Sequence, residues 1–317
     1  VVVVWQRPGD RRVFAPRAWQ YGNRSRQKEE KIVQNKRMLR LGLNALARAH
    51  SLDYFADGHR GAAMVAAYLF CKDNALNKDI RQRIDELIDM KWSGSPLCAD
   101  FPPDDPQPER IQEIGQALRE GSETLRQVGH NAIFAMLAVK GFLLLPEAAT
   151  PSRVDGVRRL IRMFRPWRDI APDSRIQPPP FGDTVAVSRF ILLEAFEAIG
   201  RFRGFNQGYA GHVLTFGQAL VELAAMGYEP WAESCRTAFR KYLTVTRLGP
   251  DTDERAARVL TVSGCGPTDT VYWKGRNPDG IQLGHIFKYS YSFYDLLRRA
   301  DDRRLEDCWK QRIDLLF

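Results

Sequence analysis

Four of the five histidines follow a glycine, at intervals of 71, 82 and 73 residues: Gly58-His59, Gly129-His130, Gly211-His212 and Gly284-His285. With 24 glycines in 317 residues, chance places fewer than one histidine in that position, so the recurrence marks a repeated structural unit. Each pair opens an apolar run with helical spacing, over 60–70, 131–142, 213–223 and 286–297. A second amphipathic stretch follows each one, at 81–92, 154–167, 231–243 and 305–317. Only His50 stands outside the pattern.

A unit of this kind cannot bury its apolar face alone, so neighbouring units must stack. The fold class expected is all-α, made of repeated helical hairpins closed into an α/α toroid, with an open helical solenoid as the alternative. Unequal repeats with long loops favour closure, because each loop can then cap a shared cavity. Residues 1–24, rich in Pro, Gly and Arg, read as an irregular arm, and 25–317 as a single helical-repeat domain. Helical patterning extends over 26–49, 78–92, 109–128, 132–145 and 153–164, and Asp183 is placed to cap a helix over 184–202. The last helices run over 285–300 and 303–317. Long loops are expected at 93–108, 171–182 and 249–283, the last containing a helix or strand at 255–262.

Composition narrows the partners. The net charge of +9 could draw nucleic acid, but arginines alternate with acids at 81–89 and 298–307, the habit of a solvated helix face. Only 153–168 resembles a basic patch, so nucleic acid is not an expected partner. No uninterrupted apolar run reaches the roughly 18 residues of a membrane span. Val1–Val4 is far shorter than the apolar core of a signal peptide. The five scattered cysteines, with no C-x-x-C, fit free thiols in a reducing compartment, hence the cytoplasm. No Walker or Rossmann pattern occurs, so no nucleotide cofactor is expected; Gly264-Cys265-Gly266-Pro267 lacks the strand and helix of a phosphate loop.

A histidine in the first turn of a helix lies where unpaired N–H groups and the macrodipole oppose a second positive charge. The imidazole is then held neutral, the state that binds metals and accepts protons. If all four first turns meet at one rim, His59, His130, His212 and His285 form one metal site suited to Zn, Fe or Mn. Asp57, Glu194 and Glu222 are the carboxylates nearest to hand. No H-x-x-x-H or E-x-x-H pair occurs, so the site must be assembled across repeats. The fourth unit adds Lys288 and Tyr289 on the face of His285, a base, charge stabiliser and proton donor together. Arg60, Asn131 and Gln218 are candidate substrate ligands. The leading expectation is a metal-dependent enzyme acting on a small organic substrate. The alternatives are a metal-free acid–base enzyme on an anionic substrate such as an acidic sugar, and a helical scaffold whose histidines fix corners. Neither the reaction nor the oligomeric state follows from the sequence.

Overall fold

The computed structural model describes residues 36–205, 208–250, 265–310 and 315–317. The arm at 1–24 and the segment 255–262 lie outside the described residues. The order is α1 (36–49), α2 (Tyr54–Asp73), α3 (Lys78–Ile88), α4 (Ile111–Arg119), α5 (His130–Leu144), α6 (Pro151–Met163) and α7 (Thr184–Arg201). There follow α8 (Gly208–Leu223), α9 (Glu229–Ser234), α10 (Arg236–Leu248), α11 (Thr270–Lys274), α12 (His285–Ala300) and α13 (Arg303–Lys310). No strand occurs among the described residues, and the chain is all-helical.

Local chemistry sets the starts. Asp183 accepts from the Ala186 N–H and caps α7 as expected, Asn77 does the same for α3, and Pro151 occupies the first turn of α6. The stretch expected as one helix over 109–128 stops at Arg119 and turns through Gly121, whose φ is 72°. The stretch 230–243 is likewise divided, at Cys235, between α9 and α10.

The four histidine helices α2, α5, α8 and α12 form the inside. Nearly every residue of α5 and α8 is buried, whereas α3, α6 and α10 are buried on one face only. Helix α12 packs against both α2 and α8, and α5 packs against both α2 and α8. Helix α7 lies across α8 and α12, and α6 lies against α5 and α4. Residues 127–144 are long and apolar enough to cross a membrane, in contrast to the sequence reading, but 72% of that stretch is buried inside the fold. It is a core helix, enclosed by its neighbours.

Helices α1 and α6 cross in near backbone contact: a Cβ at Gly156 would lie 2.1 Å from the Ala47 carbonyl oxygen. Gly156→Ala is therefore expected to cost about 2–3 kcal/mol, since backbone cannot move aside as a side chain can. A denaturant midpoint unchanged from the parent protein would contradict that crossing.

Beyond the C-terminal half of the inner helices lies a buried ionic cluster. Lys140 pairs with Glu222 at 2.8 Å and donates to Tyr291 Oη at 2.9 Å. Arg299 bridges Glu222 and Asp295, the latter at 2.9 Å. Lys140, Glu222 and Asp295 each fall ten residues after a histidine, about 15 Å along a helix.

Two of the expected long loops are fastened by polar side chains of neighbouring helices. Arg48 and Asn44 bind carbonyls of residues 97–100, fastening that loop to α1. Arg236 and Arg240 bind the carbonyls of Asp173, Ile176, Pro178 and Pro179, fastening the second loop to α10. Part of the charge of the 153–168 patch is neutralised: Arg158 and Arg159 pair with Asp155, and Arg162 with Glu120. Cys71, Cys98 and Cys235 are buried free thiols, and burial pushes Cys71 and Cys235 up to about 12 and Cys98 to about 11.

Candidate metal centre

The four Gly-His pairs reach the interior by two local routes. His130 and His285 are the first residues of their helices, each preceded by a left-handed glycine with φ of 90° and 72°. The turns share a Gln-x-Gly-His sequence, and Gln127, Val128, Gln282 and Leu283 also have positive φ. Non-glycine residues resist that region, so the turns store strain of the kind found at functional sites. His59 and His212 differ from the expectation that each pair opens a helix. Helix α2 begins at Tyr54, capped by Asp53, and α8 is helical from Gly208, which places both histidines in the second turn.

Both routes end in the same hydrogen bond. His59 Nδ1 donates to the Phe55 carbonyl at 2.8 Å and His212 Nδ1 to Gly208 at 2.6 Å. His130 Nδ1 donates to Gln127, and His285 is bonded to the Gln282 backbone. A carbonyl can only accept, so the proton sits on Nδ1 and the lone pair on Nε2.

The rings form a closed cycle of four, with centroids 4.4 Å apart for His59–His130 and 4.8 Å for His130–His212. His212–His285 and His285–His59 follow at 5.3 and 5.2 Å. Nε2 of His130 and Nε2 of His212 face each other at 3.2 Å, and those of His59 and His285 are buried without a hydrogen-bond partner. Ring nitrogens of His59, His130 and His285 all lie within 4.8 Å of one another. Metal–nitrogen bonds of about 2.0–2.1 Å place two ligands of one ion roughly 3–4 Å apart. The widest separations must therefore close by about 1–2 Å for the three rings to share an ion.

Burial, reinforced by Lys288 and neighbouring rings, holds His59 and His130 well below the usual imidazole range. Burial brings His212 down to about 4 and depresses His285 as well. Phe55 covers His59 and His130 at 4.4 and 5.1 Å, and Phe164 stacks on His130. His285 is the least buried of the four.

Each glycine is needed because a side chain of another inner helix presses on it. A Cβ at Gly58 would meet Phe134 at 2.6 Å, one at Gly129 would meet Phe216 at 2.3 Å, and one at Gly211 would meet Tyr289 at 2.2 Å. At Gly284 it would meet Ala63 at 2.1 Å, with Trp92 filling the space beside it. Phe134, Phe216, Tyr289 and Ala63 each lie four residues after a histidine. The glycine of one unit thus receives that position from the next, and the fourth receives it from the first.

This order reassigns Tyr289. Its ring packs on Gly211 and against His285 at 5.3 Å, and its hydroxyl lies 3.3 Å from His212 Nδ1, on the far side of that ring from Nε2. It orients His212 and does not reach the centre as a proton donor. Lys288 does reach inward: its Nζ lies 5.8 Å from the centroid of the Phe134 ring on α5, is 3% exposed, and has no hydrogen-bond partner.

The remaining candidates lie apart from the rings. Arg60 and Asn131 follow a histidine by one residue, 100° around the helix. Arg60 pairs with Asp57 at 2.6 Å, and Asn131 is buried on α5. Gln218 belongs to the ionic cluster, donating to Asp295 at 2.9 Å. Of the carboxylates, Asp57 is held by Arg60, Glu194 by Arg247 and Glu222 by Lys140 and Arg299, so none turns toward the imidazoles. Sequence reasoning missed Phe55, one turn before His59 on the same helix, and Phe164, which reaches His130 only through tertiary packing. It also missed the paired Gln-x-Gly-His turns, which were visible as a shared tetrapeptide pattern. Comparison with known protein families, curated proteins and solved structures finds no match to the chain.

Proposed function

We propose that the four units close into an α/α toroid whose axis carries a transition-metal centre held by His59, His130, His212 and His285. The reading goes on to a metal-dependent enzyme acting on a small organic substrate. The observation that carries it is the facing pair of lone pairs on His130 and His212 Nε2, 3.2 Å apart. With both Nδ1 atoms already donating to carbonyls, neither Nε2 has a proton to offer the other. Such an approach is repulsive unless a cation sits between the nitrogens. Closure is supported by the contact of Ala63 with Gly284, which returns the repeating glycine contact from the fourth unit to the first.

A corner device would also bond Nδ1 to a carbonyl, but it has no use for four unprotonated Nε2 atoms converging in a buried space. An all-imidazole set suits Zn or Fe better than Mn, which favours carboxylates. When bound, such an ion supplies Lewis acidity to a substrate oxygen. The chain's own part is to fix each ring through its Nδ1 bond and to exclude water with Phe55, Phe134 and Phe164. Substrate enters on the side of His285, where burial is least.

Elemental analysis of gently purified protein tests this, with about one equivalent of a first-row metal expected. His130→Ala and His212→Ala should each retain less than about a tenth of it, because either change removes a ligand and opens the ring. Protein that carries no metal and whose metal-free form takes up neither Zn²⁺ nor Co²⁺ would sink the proposal. Lys288 amid the rings would then favour the metal-free acid–base reading.

A further inference from the structure

Beneath the imidazoles lie two donors that the proposed centre leaves unused. Lys288 and Thr215 each follow a histidine by three residues, one turn along α12 and α8, which pack against each other. Lys288 Nζ and Thr215 Oγ1 are both fully enclosed, and neither has a hydrogen-bond partner. From α12, Lys288 reaches to the ring of Phe134 on α5, a helix that adjoins α2 and α8.

A buried amine and hydroxyl without acceptors are costly, and the imidazole nitrogens cannot supply them once they are taken up by a metal. The acceptor must come from outside the chain. A cation above and a lysine below leave one kind of guest electrostatically satisfied between them, a small anion.

We propose that the centre takes an anionic ligand directly on the metal, on the face toward Lys288, where Lys288 Nζ and Thr215 Oγ1 donate to it. This rests on the metal reading above. The guest is small, such as hydroxide or the carboxylate end of a substrate, because both donor atoms are fully enclosed. Lys288 and Thr215 would thereby set both the charge and the orientation of what the metal holds.

Azide added to Co²⁺-loaded protein gives the test, read from the Co²⁺ visible absorption. Saturable spectral change is expected in the parent protein. Lys288→Met should retain one equivalent of Co²⁺ but bind azide about a hundredfold more weakly, the loss of one charge-assisted hydrogen bond with its charge. Thr215→Val should weaken it about tenfold, and it keeps the test open should Lys288→Met fail to fold. No azide response in Co²⁺-loaded parent protein, or equal azide affinity in the variants, overturns the inference. Failure to bind Co²⁺ at all instead overturns the metal reading, so the two failures are distinguishable.

Discussion

Metal-free protein taken from pH 7 to pH 5.5 is expected to lose about 4–5 kcal/mol of stability, a large fraction of what a domain possesses. The folded chain holds His59, His130 and His285 well below the ordinary imidazole range and His212 at about 4, with burial as the leading cause throughout. The unfolded chain protonates each ring near 6.5. Above that pH both states are neutral and stability is fully present. As the pH falls, only the unfolded state gains protons, so stability is lost progressively toward the depressed folded values. Each ring contributes about 1 kcal/mol over this interval, and all four act in the same direction. Guanidinium melts of metal-free protein at the two pH values measure the loss. Equal midpoints would mean that the rings are hydrated and titrate normally. Saturating Zn²⁺ should move the loss to lower pH, because protons must then displace the ion as well.

Lys288→Met is expected to make the metal-free protein more stable by about 2–4 kcal/mol at pH 7, raising Tm by about 5 °C. Burial depresses the Lys288 amine well below its usual range, so the folded chain excludes a proton that the unfolded chain binds. That penalty is present at neutral pH and fades as the pH rises toward the unfolded value of about 10.4. The parent protein should therefore gain stability between pH 7 and 10 through this group, and the variant should lack that gain. Methionine has nearly the same length, so the space stays filled. A destabilised variant would show that the amine has a partner inside the folded chain. A stabilised variant with impaired azide binding would place Lys288 among residues kept for function at the expense of stability.

The helical class was legible because it depends on local periodicity. Leu39, Leu43 and Leu46 on α1, and Ile80, Ile84 and Leu87 on α3, repeat at a spacing that only a helix brings to one side. The histidines were legible for the same reason, since a recurring dipeptide is a one-dimensional signal. The start of α2 was misplaced because Gly58 drew attention from Asp53, a capping residue five positions earlier. The contact of Tyr289 with His212 was not legible, because facing His285 along one helix says nothing about which side of the neighbouring ring its hydroxyl meets. Gln218 was misplaced through axial depth: six residues past a histidine lies about 9 Å down the helix, nearer to Asp295 than to any ring. Which glycine Phe134, Phe216 and Tyr289 would press against depended on the order of helices in space, which no local pattern encodes.

That order has its own safeguard. Four inner helices that each carry a Gly-His pair near one end are nearly interchangeable there, and such a chain risks assembling in the wrong sequence or trading a helix with a second copy. The ionic cluster at the other end removes the ambiguity. Glu222 must touch Lys140 of α5 and Arg299 of α12 at once, and only a chain with α8 seated between those two can satisfy it. The corresponding position on α2 is Leu69, which carries no charge to compete. Each helix thus bears its own address, and a misordered packing would leave a carboxylate buried without a cation. The histidines can remain alike because the opposite end of the molecule keeps the helices distinct.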